Sequence, residues 1–151
     1  ELHEKKINFS EEAVYELSVL RDAVREILDL TVKSFSDDDI YTAIKVEPLR
    51  ELINVLCNEL KSRHITRLKN GKCEMKQGFA FNNILTDFER IGAHCSNVAV
   101  ALLEVEAEDF DTHKYQKSIR EMNNELYTSL YEDYEERYNI NKFKKWRKSR
   151  Q

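Results

Sequence analysis

This sequence has very few of the residues that interrupt helices. Its 151 residues include only three glycines and one proline. A β-sandwich needs many turns, and turns are built chiefly from these two residues, so the composition disfavours that class. Long helices joined by short connections are the architecture that such a composition favours.

Several other features are missing as well. The longest aliphatic run, Val98 to Leu103, is far shorter than the roughly 20 residues of a membrane-spanning helix. The three cysteines form no Cys-x-x-Cys pair, which is typical of reduced thiols in a cytosolic protein. The sequence has no glycine-rich phosphate loop, no G-x-S-x-G, no H-E-x-x-H and no Glu-x-x-His pair. We therefore predict that the chain is not an enzyme.

Charge is abundant but unevenly distributed. Residues 141–151 hold six basic residues and no acidic one, while the rest of the chain carries 18 of the 24 basic residues and all 28 acidic ones. An acidic body with a basic end disfavours binding of nucleic acid over the main surface.

Hydrophobic periodicity predicts four long helices. The first runs from about Glu11 to Phe35 with Ser10 as its N-cap. The second begins near the acidic N-cap segment at residues 36–39 and ends at Lys69, before Gly71. Pro48 lies inside the second helix, so we expect a kink or break around residues 45–48. The third helix follows residue 76 and the fourth follows residue 112. The predicted fold is all-α, an antiparallel bundle of about four long helices.

The third helix contains the most specific pattern in the chain. Residues 81–104 read FNNILTDFERIGAHCSNVAVALLE, and the polar string at 89–97 interrupts an apolar seam. This string resembles the ERIGDHAxNIA signature of PhoU-type helical domains. Its HCSNxA ending is most similar to the C-terminal cytosolic domain of bacterial Na/phosphate cotransporter family proteins. Residues 43–54, AIKVEPLRELIN, resemble a VEPLEEVID segment of the same proteins.

The resemblance covers roughly residues 10–140 and implies a function. It implies a PhoU-like domain at residues 1–140, followed by a basic tail at 141–151. The implied role is regulatory or adaptor work in sodium-dependent phosphate transport, through helix-surface protein contacts. The implied partner is the transport domain of the same polypeptide or a membrane phosphate transporter, and a homo-oligomer is also compatible. The location would be the cytoplasmic side of the bacterial inner membrane, tethered by an N-terminal membrane domain. A self-standing helical adaptor unrelated to phosphate is the alternative.

In the PhoU family, E/D-x-x-x-D pairs hold iron or zinc, because this spacing puts two carboxylates on one helical face. The matching positions here are Arg50 and Asn54 on the second helix and Glu89 and Ala93 on the third. Only one carboxylate of four is present, so we expect no metal, with an iron- or zinc-binding bundle as the alternative. A guanidinium can replace a cation beside a carboxylate, which predicts an Arg50–Glu89 ion pair.

Two smaller groups of residues have alternative interpretations. Zinc ligands could come from His94 with Cys57, His64 and Cys95, although we expect the cysteines to be small buried side chains instead. The tyrosines at 127, 131, 134 and 138 are spaced for packing.

The basic tail predicts contact with a membrane surface or a partner, since Phe143 and Trp146 lie on one face among cations. A solvated terminus is the alternative. The residues concerned are Lys142, Phe143, Lys144, Lys145, Trp146, Arg147 and Lys148.

Overall fold

The computed structural model describes the backbone of residues 8–109 and 113–151, and the side chains of residues 8–106 and 124–151. These residues are all-α and contain no strand. Four long helices and two short ones make up the fold, which confirms the predicted class. In chain order they are α1 (Glu11–Ser36), α2 (Ile40–Ile44), α3 (Val46–Lys69), α4 (Met75–Asp109), α5 (His113–Arg137) and α6 (Phe143–Ser149).

The start of α1 follows the prediction. The backbone N–H of Ala13 donates to Ser10 Oγ at 3.2 Å, so the serine satisfies one of the first-turn donors that have no partner within the helix. Glu11 and Glu12 lie in this first turn, where their negative charge interacts favourably with the positive end of the helix dipole.

The predicted second helix is two helices, with the break at Lys45 in the expected region. Pro48 lies in the first turn of α3, where its missing N–H is not needed. The predicted start near residues 36–39 is confirmed at its last residue, since α1 continues through Ser36. Asp39 caps α2, and its Oδ1 accepts from the N–H groups of Tyr41 at 3.0 Å and Thr42 at 3.3 Å.

Helix α3 ends just before Gly71, as the sequence predicts. Gly71 has a φ of 65°, a left-handed conformation that glycine adopts without strain. Its N–H donates to the carbonyl of Leu68 at 3.1 Å, and the N–H of Lys72 donates to Arg67 at 2.9 Å. This pair of bonds is the Schellman motif, which satisfies carbonyl groups at the helix end.

The core lies where α1, α3 and α4 meet. Its largest fully buried apolar side chains include Leu20, Ile27, Leu49, Ile53, Leu60, Phe81 and Leu85. Tyr134 on α5 is buried against this core and its hydroxyl donates to the carbonyl of Lys45 at 3.1 Å, which confirms packing for that tyrosine. Pairs such as Ser96 with Glu47 and Phe81 with His64 show that α3 and α4 run antiparallel.

The structure departs at Val98 and Val105 from the apolar seam that the sequence predicts for α4, which consists of Phe81, Leu85, Phe88, Ile91, Cys95, Val98, Leu102 and Val105. Phe81, Leu85 and Cys95 are buried, whereas Val98 and Val105 are 39% and 58% exposed and Ala99 takes the next buried position. A straight α-helix repeats every 3.6 residues, so a strict 3.5-residue seam drifts around its surface over several turns. The contact face of this 35-residue helix has moved accordingly.

Candidate functional site

The residues that the resemblance assigns to the family's metal motif are Arg50 and Asn54 on α3 and Glu89 and Ala93 on α4, and we call these four residues the motif face. A Cβ added to Gly92 would lie 3.7 Å from Arg50 Cγ and 3.8 Å from Ile53 Cγ2. The two helices therefore come close at the centre of the signature, as its glycine predicts. These are ordinary van der Waals distances, so alanine would also fit there.

Arg50 is paired within its own helix. Its Nη1 donates to Glu47 Oε1 at 3.4 Å, one turn away. The other carboxylate oxygen of Glu47 accepts from the hydroxyl of Ser96 on α4. Glu47 therefore links the two helices. The sequence did not reveal this role, because Glu47 is not one of the four positions matched to the metal motif.

Glu89 is paired with a lysine. Both of its oxygens accept from Lys61 Nζ, at 3.0 Å and 2.9 Å, with the two side chains about one-third exposed or less. The predicted Arg50–Glu89 ion pair is wrong, since within the described residues each partner pairs elsewhere. The stem of Arg50 lies beside Gly92, and its guanidinium pairs with Glu47 one turn away on the same helix.

The residues of the motif face do not fit the iron or zinc that the family implies. Both oxygens of the surviving carboxylate already accept from an ammonium group. Arg50 adds a second cation, Ala93 has no donor atom and Asn54 offers only a neutral carbonyl oxygen. Hard cations need several converging oxygen ligands. Across residues 8–106 and 124–151, no group of three or more His, Cys, Asp or Glu side chains could hold a metal ion.

The zinc alternative places its residues in different surroundings. Cys57 is fully buried and its Sγ lies 3.7 Å from the carbonyl of Leu85, while Cys95 is 4% exposed. Burial, with a smaller effect of the nearby Glu89 carboxylate, raises the pKa of the Cys57 thiol to about 12. His64 is buried and stacks on Phe81, whereas His94 is exposed. The interpretation of the two cysteines as buried packing residues is confirmed.

A second charged group lies deeper in the protein, and the sequence analysis missed it. Glu16 on α1 is fully buried, and its carboxylate accepts from Arg67 Nη1 at 2.9 Å and Arg63 Nη1 at 3.3 Å. We call these three residues the buried triad. Burial raises the pKa of Glu16, and the two guanidinium groups act in the opposite direction.

The sequence did contain a signal for the buried triad. Ala13, Glu16, Leu20, Ala23 and Ile27 are spaced by three and four residues, which is the spacing of one helix face. A charged residue at such a position indicates a buried carboxylate that needs partners. Arg63 and Arg67, four residues apart on α3, supply them.

The basic tail is a helix that packs on the bundle. The rings of Phe143 and Trp146 lie 6.0 Å and 5.4 Å from the ring of Tyr15 on α1. Arg63 donates to the carbonyl of Ile140 and to the side chain of Asn141. The interpretation as a solvated terminus is therefore wrong for the two aromatic residues. The cations Lys142, Lys144, Lys145, Arg147, Lys148 and Arg150 remain exposed.

The fold is an antiparallel helical bundle, and its motif face lacks the ligands for a metal cluster. The PhoU domain model matches residues 17–102, more than half of the chain, and the chain therefore belongs to the PhoU family. Comparisons with curated proteins and with solved structures found no match to the chain. The family is generally regulatory rather than enzymatic. None of the helices within the described residues has the length and apolar character needed to span a membrane.

Proposed function

We propose that this PhoU-family domain regulates sodium-dependent phosphate transport by contacts between its helix surfaces and a transport domain, without catalysis and without metal. The family match supports a phosphate-related regulatory role. The signature ending HCSN at residues 94–97 supports the sodium-dependent class through its resemblance to cotransporter proteins. The domain would lie on the cytoplasmic side of the membrane beside the transport domain, in the same polypeptide or in a separate transporter.

The observation that carries this proposal is the state of the motif face. Three of its four carboxylate positions are Arg50, Asn54 and Ala93, and the fourth, Glu89, is bound by Lys61. Because Arg50 and Glu89 each pair with a neighbouring side chain of opposite charge, this face supports helix packing and not cation binding. What remains for function is the outer surface of the bundle.

The outer surface contains one apolar stripe suited to such a contact. Leu28, Val32 and Phe35 on α1 are 42%, 63% and 72% exposed, and their spacing of four and three residues puts them on one helix face. Tyr41 on α2 is 76% exposed. Contiguous exposed apolar side chains are typical of protein contact surfaces. We place the contact with the transport domain on this stripe.

The experiment is sodium-dependent uptake of radiolabelled phosphate in the native host. Val32→Ser combined with Phe35→Ser is expected to change the uptake rate to the level seen when the domain is deleted. Val55→Ser combined with Val100→Ser is the matched control, because these valines are 48% and 43% exposed on other helices. Uptake that is unchanged by deletion of the domain would refute the proposed regulation.

The α6 helix is compatible with a second contact, between its cations and an anionic membrane surface. Its cations face solvent while its aromatic residues are turned toward Tyr15, so an anionic membrane surface would be bound by charge and not by insertion of rings. Each cation near such a surface contributes about 1 kcal/mol. Sedimentation with anionic liposomes, with and without residues 141–151, tests this contact, and equal binding would exclude it.

A further inference from the structure

The groove between the end of α3 and the beginning of α4 is an unassigned cavity, which we call the His64 pocket. Its volume is about 300 Å³ and its lining is mostly apolar, with Phe81 and Leu85 at the buried side. Ile65, Met75 and Phe79 stand at its exposed edge. Ligand sites are typically concave and apolar with a few placed polar groups.

One polar group in this pocket lacks a partner. His64 is 6% exposed, and neither ring nitrogen has a hydrogen-bond partner among the residues that the structure describes. Its ring is held by stacking on Phe81, with 4.7 Å between the centroids. Burial, aided by the nearby charge of Arg67, lowers the pKa of His64. A neutral imidazole has one donor nitrogen and one acceptor nitrogen, and buried polar groups normally have partners.

Gly78 lies directly beside the imidazole. A Cβ at this position would lie 3.0 Å from His64 Nε2 and 3.3 Å from Leu68 Cδ1. Any side chain at residue 78 would therefore press on the ring. The backbone conformation does not require glycine here, since only Gly71 has a positive φ among the described glycines.

The pocket has no free charge to offer a ligand. Its lysine, Lys61, has its ammonium bound to both oxygens of Glu89. An apolar cavity of about 150 Å³ holds benzene, so a volume of about 300 Å³ suits a bicyclic ring. We propose that the His64 pocket binds an uncharged bicyclic aromatic molecule that donates one hydrogen bond to His64. This inference is independent of the proposed role in phosphate transport.

The test is a titration of the full chain, carrying ¹³C-labelled methyl groups, with indole and with 1-methylindole. Both probes have the size of the pocket, but only indole has an N–H donor. We expect the methyl signals of Ile65, Leu68 and Met75 to shift, with indole binding about three- to tenfold more tightly, the value of one hydrogen bond. The absence of shifts at these methyl groups would overturn the proposal.

Two variants test whether the preference for indole over 1-methylindole arises in the His64 pocket. His64→Phe keeps an aromatic ring on Phe81 and removes the acceptor, so both probes should bind it equally. Gly78→Ala should weaken both probes, because its methyl group would lie against Nε2. Gly92→Ala is the matched control and should leave both affinities unchanged, since its Cβ meets only contacts of 3.7 Å and 3.8 Å.

Two results would contradict the proposal even where the probes bind. A preference for indole that survives in His64→Phe would show that the imidazole is not the acceptor. Binding of a designed amphipathic helix with a single tryptophan, with no binding of free indole, would assign the pocket to a partner's side chain and overturn the free-ligand proposal. Should one variant fail to fold, as judged by circular dichroism, the other variant decides.

Discussion

Two groups of charged side chains lie against α3, and water reaches them to different extents. The buried triad places a fully buried carboxylate between Arg63 and Arg67, whose side chains are 26% and 11% exposed. On the motif face, the Lys61 and Glu89 side chains are 31% and 27% exposed, and the Arg50–Glu47 pair is more exposed still. The family signature therefore marks the weaker of the two electrostatic sites. The position of a sequence motif does not indicate where the strongest interactions of the fold lie.

The largest effect is expected at the buried triad. Glu16→Ala leaves the largely buried guanidinium group of Arg67 without its carboxylate and leaves Arg63 with only the Glu59 carboxylate, which costs about 3–5 kcal/mol of unfolding free energy. Urea denaturation followed by circular dichroism measures it. Glu59→Ala is the matched control, because Glu59 pairs with the same Arg63 but is 53% exposed, and its cost should stay below about 1 kcal/mol. A loss below that level for Glu16→Ala would show that the triad contributes little.

The attachment of α6 should give an intermediate effect. Trp146→Ala removes a half-buried ring from Tyr15 and Phe143, with an expected cost of about 1–2 kcal/mol, part of the cost of deleting a fully buried aromatic side chain. Phe79→Ala, which removes a ring that is 67% exposed, should change stability by less than about 0.5 kcal/mol. Equal effects of the two changes would mean that α6 is not held by its aromatic face.

The motif face should give a smaller effect. Glu89→Gln removes the partner of Lys61 from a site that water still reaches, so we expect a loss of about 0.5–1 kcal/mol. A double-mutant cycle with Lys61→Met isolates the pair energy. A coupling energy as large as the cost of Glu16→Ala would show that the motif face contributes as much to stability as the buried triad does.

The smallest effect concerns pH. Burial and the charge of Arg67 lower the pKa of His64 below its ordinary value of 6.5, so the unfolded chain takes up this proton first as the pH falls. The stability contributed by neutral His64 is present above pH 6.5 and is lost as the pH falls through the folded pKa. Between about pH 7.5 and about pH 5.5, wild-type protein should lose more stability than His64→Phe.

Much of the fold could be predicted from the sequence because local signals and burial agree. Ser10, Pro48 and Gly71 each act through a local backbone rule, and the structure follows them. The next helix is capped by Asp39, the last of the four residues predicted for its start, because α1 continues through Ser36. The predicted seam is wrong at Val98 and Val105, in the second half of α4. A 3.5-residue repeat drifts away from the 3.6-residue repeat of a straight helix over several turns.

The candidate site could be predicted less well, because side-chain pairing depends on geometry between helices. The assignment of Arg50, Asn54, Glu89 and Ala93 to the motif positions stays a prediction from the resemblance, and the sequence did not reveal that Arg50 pairs with Glu47. The triad could have been inferred from Glu16 on the buried face of α1. The predicted boundary at residue 140 and the membrane contact of the tail stay predictions.

Metal content tests the central claim most directly, namely that ion pairs replace metal on the motif face. Protein purified without chelators is analysed for iron and zinc by plasma emission, beside Glu89→Gln and the triple variant Arg50→Glu, Asn54→Asp and Ala93→Asp. We expect wild type and Glu89→Gln to show the same trace level, and the triple variant, with its carboxylates restored, to gain about one ion per chain. About one ion per chain in the wild type that is lost in Glu89→Gln would contradict the account.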